Sequence, residues 1–336
     1  MKLRQSLLWP LAVPYGAAAW MRAAAYEAGL LRGKRLNANV ISVGNLTVGG
    51  TGKTPMVLWM AQRLREEGKK VGILTRGYRG GDGANRSASD EVQLLKERLG
   101  EQVAFGVGPD RYAHGSELAA RGVDWFVLDD GFQHLQLKRD VDVLLVDATN
   151  PFGGGRLLPA GRMREPKTAL GRADVIVITR SERTPAVEAA IRRDSDAPLF
   201  YAHTEFGDVR FVAVGGRAGE QVPLARDRKW FAFCGIGNPQ AFLADLREWG
   251  FKTVGPRFFR DHHRYTQEEI DDLAREARAA GADGLICTEK DRFNLASVGS
   301  LPMETAYCQI SLRVNRAEEF WGEVETLAAI SRSKRL

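Results

Sequence analysis

Apolar residues along this chain come in short, mostly apolar runs instead of strictly alternating with polar ones. Ala38 to Val43, Lys70 to Leu74, Gly122 to Leu128, Val141 to Val146 and Asp174 to Ile178 form a first series. Runs of this length read as strands buried on both faces. Between them the apolar period lengthens to that of a helix, over Met56 to Glu67 and Asp90 to Leu99. After a break near Phe200 to Ala218 a second series begins. Its strands are predicted at Trp230 to Cys234, Phe251 to Val254, Gly284 to Cys287 and Ala306 to Leu312. Its helices are predicted from Pro239, over Thr266 to Ala280 and over Asn315 to Ala328. Buried strands alternating with helices predict an α/β chain with parallel-rich sheets, whose ligands bind at the carboxyl ends of the strands. At 336 residues the chain is long enough for two modest domains. The divisions expected are 1–35, 36–205, a linker region at 206–218, and 219–336.

The first strand runs into Thr47-Val48-Gly49-Gly50-Thr51-Gly52-Lys53-Thr54 and then into a helix. Strand, Gly-rich turn and helix is the context that makes a P-loop match credible. Glycines let successive backbone N–H groups face phosphate oxygens without a Cβ in the way, and the helix adds the positive end of its dipole. Lys53 is expected to reach the β- and γ-phosphates, and the Thr54 hydroxyl to help hold Mg²⁺. The usual first glycine of the pattern is Thr47 here. The motif specifies nucleoside triphosphate and leaves the acceptor open.

Charge changes the picture at the two ends. The formal net charge is +6. Residues 1–35 carry six basic residues against Glu27 alone, and the tail from Ser331 carries Arg332, Lys334 and Arg335, which leaves residues 36–330 at −2. A near-neutral body argues against a phosphate-tracking, nucleic-acid-binding surface, whereas the basic N-terminus suits an anionic membrane. Gln5 to Met21 holds no charged residue and includes Trp9, Tyr15 and Trp20. Three readings compete: a membrane-inserted or interfacial helix, a secretory signal peptide, and an amphipathic helix packed on the body. The first is favoured, and secretion fits a nucleotide-using enzyme worst. Cys234, Cys287 and Cys308 lie on separate apolar runs without metal-ligand spacing, and read as buried free thiols.

Three further clusters carry candidate chemistry. Asp129-Asp130 closes an apolar strand, where a carboxylate can face Mg²⁺ opposite Thr54, or simply form a turn. His134 follows as a base or a packing residue. Asp261-His262-His263 precedes a helix that Thr266 is placed to cap, with Glu269 three residues on. Thr288-Glu289-Lys290-Asp291 is a charged strand end that either lines a cleft or forms a solvated turn. Arg76, Arg79, Arg111, Arg162 and Arg164 sit on loops of the nucleotide face, where guanidinium forks suit phosphates.

These residues together resemble the tetraacyldisaccharide 4'-kinase family of lipid A biosynthesis. The resemblance rests on Ser42-Val43-Gly44-Asn45 leading into Thr47 to Pro55, Arg76-Gly77-Tyr78, Asp129 to His134, Arg164-Glu165-Pro166, Gly235 to Pro239, Asp261-His262 and Thr288 to Asp291. It covers nearly the whole chain. It implies two P-loop-type α/β/α lobes joined by a two-stranded linker, plus a membrane-associated N-terminal helix. It implies an ATP- and Mg²⁺-dependent enzyme that phosphorylates the 4'-hydroxyl of tetraacyldisaccharide 1-phosphate to give lipid IVA. The setting implied is the cytoplasmic face of a Gram-negative inner membrane, with no obligate protein partner. By position, the family's base dyad matches Asp90 and His262, adjacency to Asp261 favouring His262 over His263. Asp90 lies in Ser89-Asp90-Glu91-Val92, where the family reads Gly-Asp-Glu-Pro. The Mg²⁺ carboxylate falls at Asp129 or Asp130, and Arg76, Arg111 and Arg164 fall to the substrate. The rival left by the P-loop alone is an ATPase or GTPase switch with no sugar acceptor.

Overall fold

The computed structural model describes residues 8–77, 89–223 and 225–334. The chain divides into two compact units. One comprises Met1–Tyr78, Arg98–Thr204 and Leu312–Leu336, and the other Arg79–Glu97 and Glu205–Ser311. The divisions expected from sequence were contiguous and these are not. Residues 79–97 group with the second unit, and the C-terminal segment groups with the first.

In the first unit the strands are β1 (Asn39–Asn45), β2 (Val71–Thr75), β3 (Ala104–Val107), β4 (Trp125–Asp129), β5 (Val141–Asp147), β6 (Val175–Thr179) and the start of β7 (Leu199–Ala213). They run in the order β7-β6-β5-β1-β4-β2-β3, all parallel. Every residue of β1, β2, β5 and β6 is buried, as continuous Val/Ile/Leu runs require of a sheet covered on both faces. Val43 stands opposite Asp129 and Asp147 opposite Thr179, so Asn45, Thr75, Asp129, Asp147 and Thr179 end their strands on the same side. Helix α1 (Trp9–Glu27) precedes the sheet, and α2 (Lys53–Glu66) follows β1. The C-terminal helix, Ala317–Ser333, belongs here because Phe320 packs at 5.5 Å from Trp59 and at 5.2 Å from Phe200.

In the second unit, β9 (Lys229–Cys234), β10 (Lys252–Phe258), β11 (Gly284–Thr288) and β12 (Thr305–Val314) are ordered β10-β9-β11-β12 and pair in parallel. Beside β12 lies β7, and β8 (Arg217–Gln221) pairs with β7 antiparallel over Arg210 to Ala213. Helix α3 (Asp90–Leu99) begins in this unit, ahead of α4 (Arg111–Ala120) and α5 (Pro185–Ile191) in the first. The helices α6 (Pro239–Glu248), α7 (Gln267–Ala279) and α8 (Glu289–Phe293) follow here in chain order.

Candidate active site

The Thr47–Thr54 turn in the first unit is held from two sides. Asn45 Nδ2 donates to Thr51 Oγ1 at 2.7 Å, and the Thr179 hydroxyl donates to the Thr51 carbonyl at 3.1 Å. Across the turn, the Val48 N–H donates to the Arg162 carbonyl at 2.8 Å and Arg162 Nε returns a bond to the Val48 carbonyl at 3.1 Å. Gly52 has φ of +86° and is the N-cap of α2, a helix that no side chain caps. Uncapped first-turn N–H groups at the positive end of a 14-residue helix, with Lys53 and Thr54 in that turn, bind an anion. Thr47 pairs with Met163 in an isolated antiparallel bridge and is not among the residues of positive φ, so the first position does not require glycine here.

The two aspartates after β4 have different surroundings. Asp129 is buried, and its Oδ2 accepts from the Thr75 hydroxyl at 3.0 Å. Asp130, at φ +50°, takes Arg164 Nη1 on both carboxylate oxygens at 2.7 Å and lies 3.6 Å from Lys53 Nζ. Burial pushes Asp130 up, but the Lys53 and Arg164 charges outweigh it and hold the carboxyl below its ordinary value. Gln133, which sequence reasoning passed over, ties this region together. It donates to the Asn45 carbonyl at 3.0 Å and to Glu165 Oε1 at 2.9 Å, and accepts from Arg164 at 3.2 Å. Glu165 is itself paired with Arg172 at 2.6 Å. The sequence signal for Gln133 was its place in the Asp129 to His134 segment on which the resemblance rests, which gave it no role of its own.

Of the arginines expected to meet substrate, Arg76 is exposed just past β2. Arg164 is committed to Asp130 and Gln133. Arg111 is buried at the start of α4 and bonds His134 Nδ1 at 3.1 Å. Burial and the neighbouring Arg111, Arg139 and Arg22 charges drive His134 down to about 4, so it is neutral at physiological pH and serves as an acceptor that orients Arg111. Arg79 and Tyr78 lie outside the described residues, as do residues 1–7, 80–88, 224, 335 and 336.

Helix α1 docks on this unit through small residues. Ala12, Gly16 and Ala23 are its buried positions, and a Cβ on Gly16 would lie 2.4 Å from Leu157 Cδ1. Arg22 Nη1 donates to the Gln133 carbonyl at 3.1 Å, next to the aspartate cluster. The large side chains face away from the protein: Trp9, Leu11, Val13, Trp20 and Met21 are each more than half exposed. Among the described residues no helix is long and apolar enough to cross a membrane.

In the second unit, two residues 172 positions apart meet. His262 Nδ1 lies 3.0 and 3.1 Å from the two oxygens of Asp90, which is buried at the first position of α3. His262 has φ of +57°, a conformation a non-glycine residue keeps only when its surroundings hold it there. The bond from Asp90 raises the His262 pKa above its ordinary value against burial, which lowers it. Burial pushes Asp90 up, but the His262 bond and the Lys290 charge outweigh it and hold the carboxyl down. His263 is otherwise engaged: its Nε2 lies 2.9 Å from Glu269 Oε2 and its ring stacks on Phe259. Thr266 and Glu269 form the capping box expected at the start of α7. With Nδ1 turned to a carboxylate, Nε2 is the nitrogen that can accept a proton.

A P-loop with aspartates at a neighbouring strand end handles nucleotide phosphates, and a His–carboxylate pair removes a proton from a hydroxyl. The sequence profile of the tetraacyldisaccharide-1-P 4'-kinase family matches residues 4–329. The chain belongs to this family. A tetraacyldisaccharide 4'-kinase of Geobacter metallireducens is 43% identical over 315 residues, spanning 88% of this chain and 90% of the relative. One from Geobacter sulfurreducens is 41% identical over 308 residues, spanning 85% and 84%. Among solved structures, the "apo" form of LpxK from Aquifex aeolicus in complex with ATP superposes with a TM-score of 0.72 at 30% identity, covering 96% of this chain and 99% of that one.

Proposed function

We propose that this chain transfers the γ-phosphoryl group of ATP to the 4'-hydroxyl of tetraacyldisaccharide 1-phosphate, with Asp90 and His262 as the proton-accepting pair. The Asp90–His262 hydrogen bond is the observation that carries this reading, because a nucleotide switch that only hydrolyses has no sugar hydroxyl to deprotonate. His262 Nε2 takes the hydroxyl proton, the sugar oxygen bonds to the γ-phosphorus, and the bond to the β–γ bridging oxygen breaks to release ADP. Asp90 holds the imidazole in the needed tautomer and stabilises the imidazolium that forms. Lys53 and the N–H groups of the Thr47–Thr54 turn carry the phosphate charge, with Thr47, Val48, Gly49, Gly50, Thr51 and Gly52 supplying the backbone.

The donor set suits Mg²⁺. Thr54, Asp129 and Asp130 offer hard oxygens, and among the described residues no group of three His, Cys, Asp or Glu side chains forms a cage of its own. That is the pattern of an ion bound by one or two carboxylates together with substrate phosphates. When bound, it neutralises charge on the β- and γ-oxygens. Asp130 already takes Arg164 on both carboxylate oxygens and lies beside Lys53, so Asp129, at the end of β4, is the carboxylate assigned to the ion. Arg76 is the arginine assigned to the substrate's 1-phosphate; Arg164 acts by fixing Asp130, and Arg111 by its charge near Asp130 and Asp129. The exposed Trp9, Leu11, Val13, Trp20 and Met21 side of α1 is assigned to the interface of the bilayer that holds the acylated substrate, at the cytoplasmic face of the inner membrane.

Transfer of ³²P from γ-labelled ATP to tetraacyldisaccharide 1-phosphate in detergent micelles with Mg²⁺ tests the reading. A labelled bisphosphorylated lipid that is absent with Lys53→Ala is expected. Free phosphate without labelled lipid would replace it with the hydrolytic switch.

A further inference from the structure

The Thr288-Glu289-Lys290-Asp291 cluster has no part in the chemistry above, yet it bonds to segments that neighbour both halves of the dyad. Asp291, on α8, is fully buried. Its Oδ1 accepts from the Gly235 N–H and from the Tyr265 hydroxyl, both at 2.7 Å, and its Oδ2 accepts from the Thr288 hydroxyl at 2.5 Å. Gly235 in turn holds the histidine loop, because its carbonyl accepts from the His262 N–H at 2.9 Å. The approach is close: a Cβ on Gly235 would lie 2.8 Å from the Arg260 carbonyl oxygen. At the other end of α8, Asn294 contacts both chain segments of the pair. Its carbonyl accepts from the Tyr265 N–H at 3.2 Å, and its Nδ2 donates to Asp90 Oδ2 at 3.3 Å. Helix α3, which carries Asp90, is tied to the same segment by Lys290 to Glu91 and Arg292 to Glu97, both at 2.7 Å.

A turn built only to end a strand needs one cap, and the Thr288 hydroxyl already supplies it by accepting from the Asp291 N–H. The remaining contacts reach instead Gly235, whose carbonyl holds the His262 N–H, Tyr265, three residues after His262, and the carboxylate opposite it. We propose that Asp291 and Asn294 are positioning residues of the proton-accepting pair: Asp291 fixes the Gly235 N–H and the Tyr265 hydroxyl, on the two segments that hold His262 at positive φ, and Asn294 keeps the Asp90 carboxylate turned toward Nδ1. The inference rests on the reading of Asp90 and His262 as the base. The charged groups facing His262 are Asp90 from α3, Lys290 from α8 and Asp261 from its own loop.

The test uses the full-length protein and five forms: wild type, His262→Ala, Asn294→Ala, Asp291→Asn and Asn294→Gln. Kinetics of lipid phosphorylation are measured across pH, and the His262 imidazole is followed by NMR, assigned with His262→Ala. Asn294 is only partly buried, so Asn294→Ala is expected to fold even where Asp291→Asn does not. Both are expected to lower kcat by about 10- to 100-fold, as for misplaced catalytic groups, with KM for ATP and lipid little changed. The imidazole midpoint should fall toward that of an ordinary histidine, and Asn294→Gln should recover part of the loss. If His262→Ala loses turnover while Asn294→Ala keeps kcat and the His262 signal of wild type, the positioning role is wrong and the dyad stands. If His262→Ala itself keeps turnover, the base assignment fails and this inference fails with it.

Discussion

Replacing Asp90 with asparagine removes one charge and almost no volume, and it acts where the pair is most enclosed: the Asp90 side chain is 5% exposed and that of His262 28%. A buried hydrogen bond to a charged group contributes about 1.5–3 kcal/mol. If that interaction is fully developed only as His262 becomes imidazolium, its loss lowers kcat by about 10- to 150-fold at ~1.4 kcal/mol per tenfold. The amide also presents an N–H as readily as an oxygen to Nδ1, so part of the population holds the wrong tautomer and the loss moves toward the upper end.

The pH dependence carries the sharper test. His262 must be neutral to accept a proton, so wild-type turnover rises with pH through its pKa, which Asp90 holds above 6.5. Asp90→Asn removes the group responsible, so the acid limb moves to lower pH while the plateau falls. Stability follows with its own signs. The raised imidazole contributes stability that is fully present below its unfolded value of 6.5 and is lost as pH rises through the folded value. The lowered Asp90 contributes stability present above its unfolded value of 3.8 and lost as pH falls through the folded one. The difference in Tm between wild type and Asp90→Asn should therefore be largest in the mildly acidic window between the two. Stopped-time ³²P transfer from pH 5 to 9 and thermal melts across the same range measure both. An acid limb identical in the two proteins, or an unchanged plateau, would refute the base assignment.

Three further outcomes are expected. Lys53→Ala should reduce phosphate transfer by at least about 10²–10³-fold in the same assay, through loss of a preorganised positive charge at the phosphates. Gly44→Ala should lower stability by about 1–3 kcal/mol, read from denaturant midpoints, because the new Cβ would lie 2.5 Å from Phe132 Cβ and 2.7 Å from its backbone nitrogen in the packed sheet. The pair Trp9→Ser and Trp20→Ser should weaken sedimentation with anionic lipid vesicles while the Tm stays near wild type, since both side chains are more than half exposed; equal sedimentation would remove α1 from the membrane.

What the sequence disclosed follows how locally each feature is encoded. The P-loop and the strand ends Asp129 and Thr179 are written in contiguous residues whose apolar run, turn and helix agree, so they were readable in place. Asp90 was not. It starts a short helix whose apolar pattern says nothing of a histidine 172 residues away, and only the resemblance to the family drew attention to it. The choice between His262 and His263 was likewise closed to periodicity, because it turns on a single backbone conformation. The φ of +57° at His262 sends its ring to Asp90, while the next ring stacks on Phe259 and joins the cap of α7. The two units were mis-divided for a related reason. Phe320 and Trp321 fall in the helix predicted over Asn315 to Ala328, and nothing local tells that their partner is Trp59.

The N-terminal helix joins these levels. Its apolar stretch alone left membrane and packing readings open, since both need a hydrophobic helix. Side-chain size bears on both: Ala12, Gly16 and Ala23 form the buried stripe, and the tryptophans lie off it. A helix meant to be covered by protein would bury its largest side chains, because they gain most from leaving water, about 25 cal/mol per Å² of apolar surface. Here the residues with most to gain remain exposed and the small ones make the contact. That inversion makes sense if the exposed residues meet a second apolar medium, and close docking through glycine keeps Arg22 on the Gln133 carbonyl, beside the aspartates of the nucleotide site.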